Sequence, residues 1–262
     1  MSNFAGTAIY YNRYRPSIPS EVAEYLIFEA NRYAPATRLL DLGSGTGQVV
    51  EALYHNFNEI IAVDSDAEML NIAEKKLRLI VSEETTISFY NCRAEEFLAP
   101  INWTASLVTI CRAFHWMDQE KILKHLSNCI SSTGAVAILG DRSFWQADTP
   151  WKKAVRKVIQ DFLGEKRRAG KGVFSHHDRP YSEILKESPF SNVTEFTIPV
   201  RRTWNTESII GYLYSTSFAA RTLFGKKIDE FEYKIKIALA EFSKDDIFYE
   251  ENKFIVLIGR KS

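Results

Sequence analysis

Cysteine is scarce. Cys92, Cys111 and Cys129 are the three in 262 residues, an odd number far too small for a disulfide scaffold, and they point to a reducing compartment. Charge of one sign is also missing. Thirty-three basic residues meet 33 acidic ones, so the net charge is zero and a partner bound mainly through a nucleic-acid backbone is disfavoured. No run of about 18 apolar residues exists to span a membrane. The first 19 residues, aromatic, basic and Pro-containing, lack a charged segment followed by an apolar one, and read as an ordered arm or short helix rather than a signal peptide or anchor. Repeats and low-complexity stretches are absent. These absences leave a cytoplasmic globular chain, and its 45% apolar residues suffice for a sizeable core.

Strand and helix then alternate. Ser20 caps a helix over 21–33, closed by Pro35. Strands are expected at 38–42 (RLLDL), 59–63 (EIIAV), 86–90, 106–110 and 135–139 (AVAIL). Helices are expected at 48–57, 67–80 and 119–130, where apolar residues recur at helical spacing. Such alternation predicts an α/β fold with a doubly wound, mainly parallel sheet. After Asp141 the pattern changes: 151–165 and 206–243 read as helices, 192–200 and 253–259 as late strands, and the charged, Gly-rich run 164–172 (GEKRRAGKG) as a solvated loop.

Chemistry concentrates after the first strand. Asp41-Leu42-Gly43-Ser44-Gly45-Thr46-Gly47 leaves a strand and opens a helix. Glycines there let a ligand lie against bare backbone and permit positive φ, and the helix start offers unpaired N–H groups. Asp64 ends the second strand, 23 residues after Asp41, where an acid accepts both hydroxyls of a ribose. The spacing G-x-G-x-G differs from the G-x-G-x-x-G of a dinucleotide site. Asp41, two residues before the first glycine, suits an ammonium better than a diphosphate. A nucleoside carrying an amino acid fits both acids.

LLDLGSGTG (39–47) and VDSDAEML (63–70) resemble the first two motifs of the class I S-adenosylmethionine-dependent methyltransferases, especially the small-molecule enzymes with one catalytic domain. The resemblance is in good register over about residues 8–140 and looser to the end. It implies a Rossmann-like seven-stranded sheet with a helical cap inserted after strands 5 and 6. It further implies an arm and helix over the cofactor at 1–36, an S-adenosylmethionine-binding core at 37–142, and the cap plus the last two strands at 143–262. By the same resemblance Gly43, Ser44, Gly45 and Gly47 line the methionine and ribose, Asp41 holds the amino end, Asp64 takes the ribose hydroxyls, and Ser65 and Met69 flank the adenine. The third motif matches in part. Ala94 and Glu95 would meet the adenine amino group, whereas Arg93, which cannot accept a hydrogen bond, stands where relatives have an acid or Ser. AFHW (113–116) and the Y-x-x-x-R-P run from Tyr11 to Pro16 resemble the methyltransferase type 11, trans-aconitate methyltransferase-like subgroup, whose arm folds over the cofactor through positions matching Tyr11 and Arg15. Arg112 is counted with the cofactor residues, and a cation there is able to meet an anionic acceptor.

Methyl transfer from a sulfonium needs alignment and water exclusion above all. A general base is required only where the acceptor must lose a proton, and His115 is the candidate; its competing role is packing on Trp116. His176, His177 and Asp178 are too few for a metal site, and no metal is expected. Trp204, Tyr212, Tyr214 and Phe218 belong either to the core or to an acceptor pocket. The reading is a methyltransferase of a small-molecule acceptor, at oxygen, the acceptor entering between the cap and the carboxyl ends of the strands. Three rivals stay open: a dinucleotide-dependent oxidoreductase, a methyltransferase of protein or RNA, and a cofactor-binding scaffold without catalysis.

Overall fold

A computed structural model of the chain describes residues 3–174 and 179–262. In chain order its elements are α1 (Ala8–Tyr14), α2 (Ser20–Ala30), β1 (Arg38–Leu42), α3 (Gln48–Leu53), β2 (Glu59–Asp64), α4 (Ala67–Ile80), β3 (Thr86–Asn91), β4 (Ala105–Cys111), α5 (Gln119–Leu126) and β5 (Ile130–Asp141). Then come α6 (Pro150–Leu163), β6 (Arg168–Ala169), β7 (Gly172–Val173), α7 (Tyr181–Lys186), β8 (Asn192–Trp204), α8 (Thr206–Tyr214), α9 (Ile228–Ala240) and β9 (Phe248–Arg260). The chain divides into two compact units: Ser17–Asp141, His177–Ile198 and Phe254–Ser262 form one, and Met1–Pro16, Arg142–His176 and Pro199–Lys253 form the other.

Seven strands form one sheet in the order β3-β2-β1-β4-β5-β9-β8. β1 to β5 run parallel, and β9 pairs antiparallel with β5 from Ala135↔Arg260 to Asp141↔Phe254. This is the expected doubly wound sheet. The sequence reason is visible in β1, β2 and β4, whose central residues are buried almost without break, as sheet strands covered on both faces require. Helices in the first unit cover the sheet with one apolar face each. In α4 that face is Met69, Leu70, Ala73 and Leu77, and Asp66 caps the helix by accepting from the N–H groups of Glu68 and Met69. Arg260 of β9 donates to the Glu29 side chain at 3.0 Å, an ion pair buried on both sides that ties α2 to the sheet.

Several boundaries differ from the sequence reading, each for a local reason. Pro19, not Ser20, stands at the cap of α2: its carbonyl accepts from Val22 and Ala23, while the Ser20 hydroxyl donates to Glu21. Asn31 ends that helix by donating to the Ile27 carbonyl and accepting from Ala36 N–H. α3 stops at Leu53 and tightens into a 3₁₀ turn at Tyr54–Asn56. α5 stops at Leu126, because the Cys129 carbonyl already accepts from Ala105 N–H and the chain from Ile130 joins the sheet. The long helix expected at 206–243 is two. Ser215 and Thr216 donate their hydroxyls to the carbonyls of Tyr212 and Leu213, competing with helix continuation, and the helical path resumes at Ile228. Residues 164–172 are a solvated loop only in part: Gly164, Glu165, Lys166, Lys171 and Gly172 are exposed, but β6 and β7 pair as a hairpin, Ala169 is buried, and Gly170 N–H donates to the Ser217 carbonyl.

The second unit has its own core, rich in aromatic rings. Phe144, Trp151, Trp204, Tyr214, Phe218, Phe224, Phe231 and Phe248 are all buried in it. Trp204, Tyr214 and Phe218 are therefore core residues. No helix among the described residues is long and apolar enough to cross a membrane.

Candidate functional site

The sheet presents the carboxyl ends of β1, β2 and β4 side by side, and every strong sequence motif lies there. The loop after β1 turns through Gly43, Gly45 and Gly47 with φ of 66°, 54° and 77°, so each glycine occupies the left-handed region. The Gly43 and Ser44 N–H groups donate to the Val63 carbonyl at 2.8 and 3.0 Å, which fixes the loop against β2. A Cβ on Gly43 would stand 2.5 Å from the Ala113 Cβ, so Gly43 also sets how closely the segments after β1 and β4 approach. Gly43→Ala is expected to cost about 2–4 kcal/mol, combining left-handed strain with overpacking, as measured by urea unfolding. Unchanged stability would refute this geometry.

Asp41 is 1% exposed in the middle of the sheet. Its Oδ1 accepts from the Thr109 hydroxyl of β4 at 2.7 Å, and its Oδ2, equally buried, has no hydrogen-bond partner among the described residues. Burial pushes its pKa up to about 7 against the help of Thr109, and the Asp64 charge adds to the rise. The Ser44 and Thr46 hydroxyls are also buried without a described partner. One small region thus holds three polar groups whose hydrogen-bonding capacity is unspent, an arrangement that native proteins reserve for sites that meet a ligand or water.

Asp64 ends β2. Its Oδ2 accepts from Gly45 N–H at 2.7 Å and its Oδ1 from Asp66 N–H at 2.8 Å. Burial raises its pKa, and those two N–H groups counter the rise. Each oxygen thus accepts one of these N–H groups and can accept a further hydrogen bond. Ser65 is exposed and Met69 buried. Ala94 opens a 3₁₀ turn after β3. Glu95 accepts from Asp118 N–H at 2.8 Å and pairs with Arg93 at 3.4 Å. Burial alone would raise the Glu95 pKa, but those partners bring it below the ordinary value. Arg93, the odd residue of the third motif, thus neutralises Glu95.

Arg112 follows β4 at a φ of 55°, and its Nε donates to Asp141 at the end of β5 at 2.8 Å. Sequence reading missed this ion pair, since its partner lies 29 residues away. His115 sits half-buried in the 3₁₀ turn after β4, its ring 4.8 Å from that of Trp116. Asp41, the glycine loop, Asp64, Ala94, Glu95, Arg112 and His115 therefore all stand on the first unit, at strand carboxyl ends or the turns that follow. Tyr11 and Arg15 belong to the second unit. There Arg15 lies 5.0 Å over the Tyr11 ring and donates to the Tyr212 hydroxyl at 3.1 Å. No group of three or more metal-ligating side chains occurs among the described residues, and His176, His177 and Asp178 lie outside them.

Residues 39–134 match the family model of a methyltransferase domain. The "Probable S-adenosylmethionine-dependent methyltransferase CRG1" of Saccharomyces cerevisiae is 31% identical over 133 residues, 49% of this chain and 43% of that one, so the match spans less than half of the yeast protein. The "Uncharacterized methyltransferase Rv3342" of Mycobacterium tuberculosis is 25% identical over 83% of this chain and 78% of its own. Among solved structures, YcgJ from Bacillus subtilis superposes with a TM-score of 0.56, at 14% identity, over 93% of this chain and all of that one. The glycine loop, the acid on β1 and the acid on β2 all lie within the segment 39–134 that matches the methyltransferase domain, a likeness that supports a class I S-adenosylmethionine-dependent methyltransferase domain in this chain.

Proposed function

We propose that this methyltransferase acts on a small-molecule acceptor, at oxygen, with Asp41, the 43–47 loop and Asp64 holding S-adenosylmethionine and His115 serving as base. The buried, unpartnered Oδ2 of Asp41 carries the reading. A cation next to it would offset the cost of burying the carboxylate, and the amino end of S-adenosylmethionine supplies an ammonium. A pyrophosphate on the loop would instead meet the Asp41 carboxylate, which disfavours the dinucleotide alternative. The ribose hydroxyls would donate to the remaining lone pairs of Asp64, while Ala94, Glu95, Ser65 and Met69 border the adenine.

Bound S-adenosylmethionine brings a methyl group on a positively charged sulfur, so the chain need only align and, for a hydroxyl acceptor, accept a proton. An imidazole nitrogen of His115 would take that proton as the oxygen attacks. Zero net charge favours a small molecule over nucleic acid.

Calorimetry provides the test. S-adenosylmethionine and S-adenosylhomocysteine are expected to bind with NAD showing no heat, and tight NAD binding would end this reading. Asp64→Ala is expected to weaken S-adenosylmethionine by about 1.5–3 kcal/mol, the worth of charge-assisted hydrogen bonds; an unchanged affinity would free Asp64 from the ribose. A methyl-transfer assay over a panel of alcohols, acids and amines identifies the acceptor. On that acceptor His115→Ala is expected to lower kcat by about 10²-fold or more with cofactor affinity retained. Full activity would remove His115 as base.

A further inference from the structure

The second unit contains a cation that its own chain leaves without a described counter-charge. Arg112, Lys152, Arg202 and Arg260 are all largely buried, and each has a carboxylate within 4 Å. Arg167, between α6 and the hairpin, is different. No carboxylate among the described residues forms an ion pair with it, and its buried Nε has no hydrogen-bond partner among them. Aromatic rings surround it instead: its guanidinium lies 4.0 Å from the Phe174 centroid and 5.5 Å from that of Phe218. A second guanidinium stands nearby. Arg15 lies 4.8 Å over the Tyr212 ring.

Burial lowers the Arg167 pKa, the Tyr212 hydroxyl partly offsets this, and the Arg15 charge lowers it further. Two like charges that repel each other, one of them desolvated on rings, cost free energy in the ligand-free chain. Planar guanidinium forks facing apolar surface are also what a carboxylate or phosphate group binds most readily. We propose that Arg167, with Arg15 and Tyr212 beside it, forms a binding site for the oxyanion of a small-molecule ligand. Arg15, Arg167 and Tyr212 all belong to the second unit, and the test needs no methyl transfer.

Inorganic phosphate and succinate, each against chloride at equal ionic strength, are titrated into the full chain while tryptophan fluorescence is followed. Trp145, with its ring 5.3 Å from that of Phe218, provides the signal. One oxyanion is expected to give a saturable change that chloride does not. Phosphate alone would assign a phosphorylated ligand, succinate alone a carboxylic acid. Arg167→Met is expected to lose about tenfold or more in affinity. Arg167→Lys keeps the charge without the fork and is expected to fall between the two. The ligand-free Arg167→Met chain should melt no lower than the parent. A response that follows ionic strength alone, or equal affinity in Arg167→Met, overturns the site. So does Asp178→Asn if it strengthens oxyanion binding about tenfold, since a carboxylate of the chain would then already hold Arg167.

Discussion

Asp41→Asn is expected to stabilise the ligand-free chain at pH 8 and to disable it as a cofactor-binding protein. In the folded chain Asp41 holds its proton up to about pH 7, whereas the unfolded chain releases it near 3.8. The folded state therefore binds the extra proton between those values, and each unit of rising pH in that window removes stability. By pH 8 the deficit reaches roughly 4 kcal/mol, at 1.36 kcal/mol per pKa unit. Asn keeps the shape and still accepts from the Thr109 hydroxyl but carries no charge. The melting temperature of Asp41→Asn minus that of the parent should be near zero at pH 4, grow to several degrees by pH 7 and then level off. Ligand binding should show the opposite preference. An ammonium needs Asp41 ionised, so S-adenosylmethionine affinity in the parent should fall about tenfold per unit as pH drops below 7, and Asp41→Asn should lose about 1.5–3 kcal/mol at pH 8. A stability difference that does not vary with pH, or an affinity in the variant equal to the parent's, would show that no such carboxylate works here.

The readable part of the sequence was the part governed by local rules. Uninterrupted apolar runs such as Ile60–Val63 bury both strand faces, and glycines at 43, 45 and 47 take φ values that other residues resist. Those rules located β1 to β5, the turn between β1 and α3, and both acids. What was not readable depends on partners distant in the chain. Thr109 lies 68 residues from the Asp41 it supports. Asp118 N–H meets Glu95 from 23 residues away, and nothing in the run Arg93-Ala94-Glu95 announces it. The break after Tyr214 was missed for another reason: Ser215 and Thr216 count as ordinary polar residues in a periodicity scan, yet their hydroxyls take the carbonyls that the next helical turn would have used. Aromatic residues at helical spacing serve a core and a pocket equally well, and only burial showed Trp204, Tyr214 and Phe218 to be core.

Glu250 illustrates the same blindness at larger cost. In the sequence Lys152 and Glu250 look like two more solvated charges among 66. In the fold they form an ion pair at 2.6 Å with side chains only 3% and 5% exposed. Glu250 also accepts from Trp204 Nε1 at 2.7 Å and from Asn252 at 3.0 Å, with Arg202 3.7 Å away. Removing this one carboxylate leaves a desolvated ammonium 5.5 Å from the Phe144 ring and an indole N–H facing apolar surface. Glu250→Ala should therefore cost about 3–5 kcal/mol in urea unfolding, the range for breaking one side of a buried pair. Lys152→Met should cost less, because Glu250 keeps Trp204, Asn252 and Arg202. The decisive comparison is the double variant Lys152→Met/Glu250→Gln. Gln retains an acceptor for the Trp204 N–H while both charges vanish, so its cost should fall below that of Glu250→Ala alone. A double variant as damaged as the sum of the two single changes would mean that the charges themselves, rather than their mutual satisfaction, hold this core together.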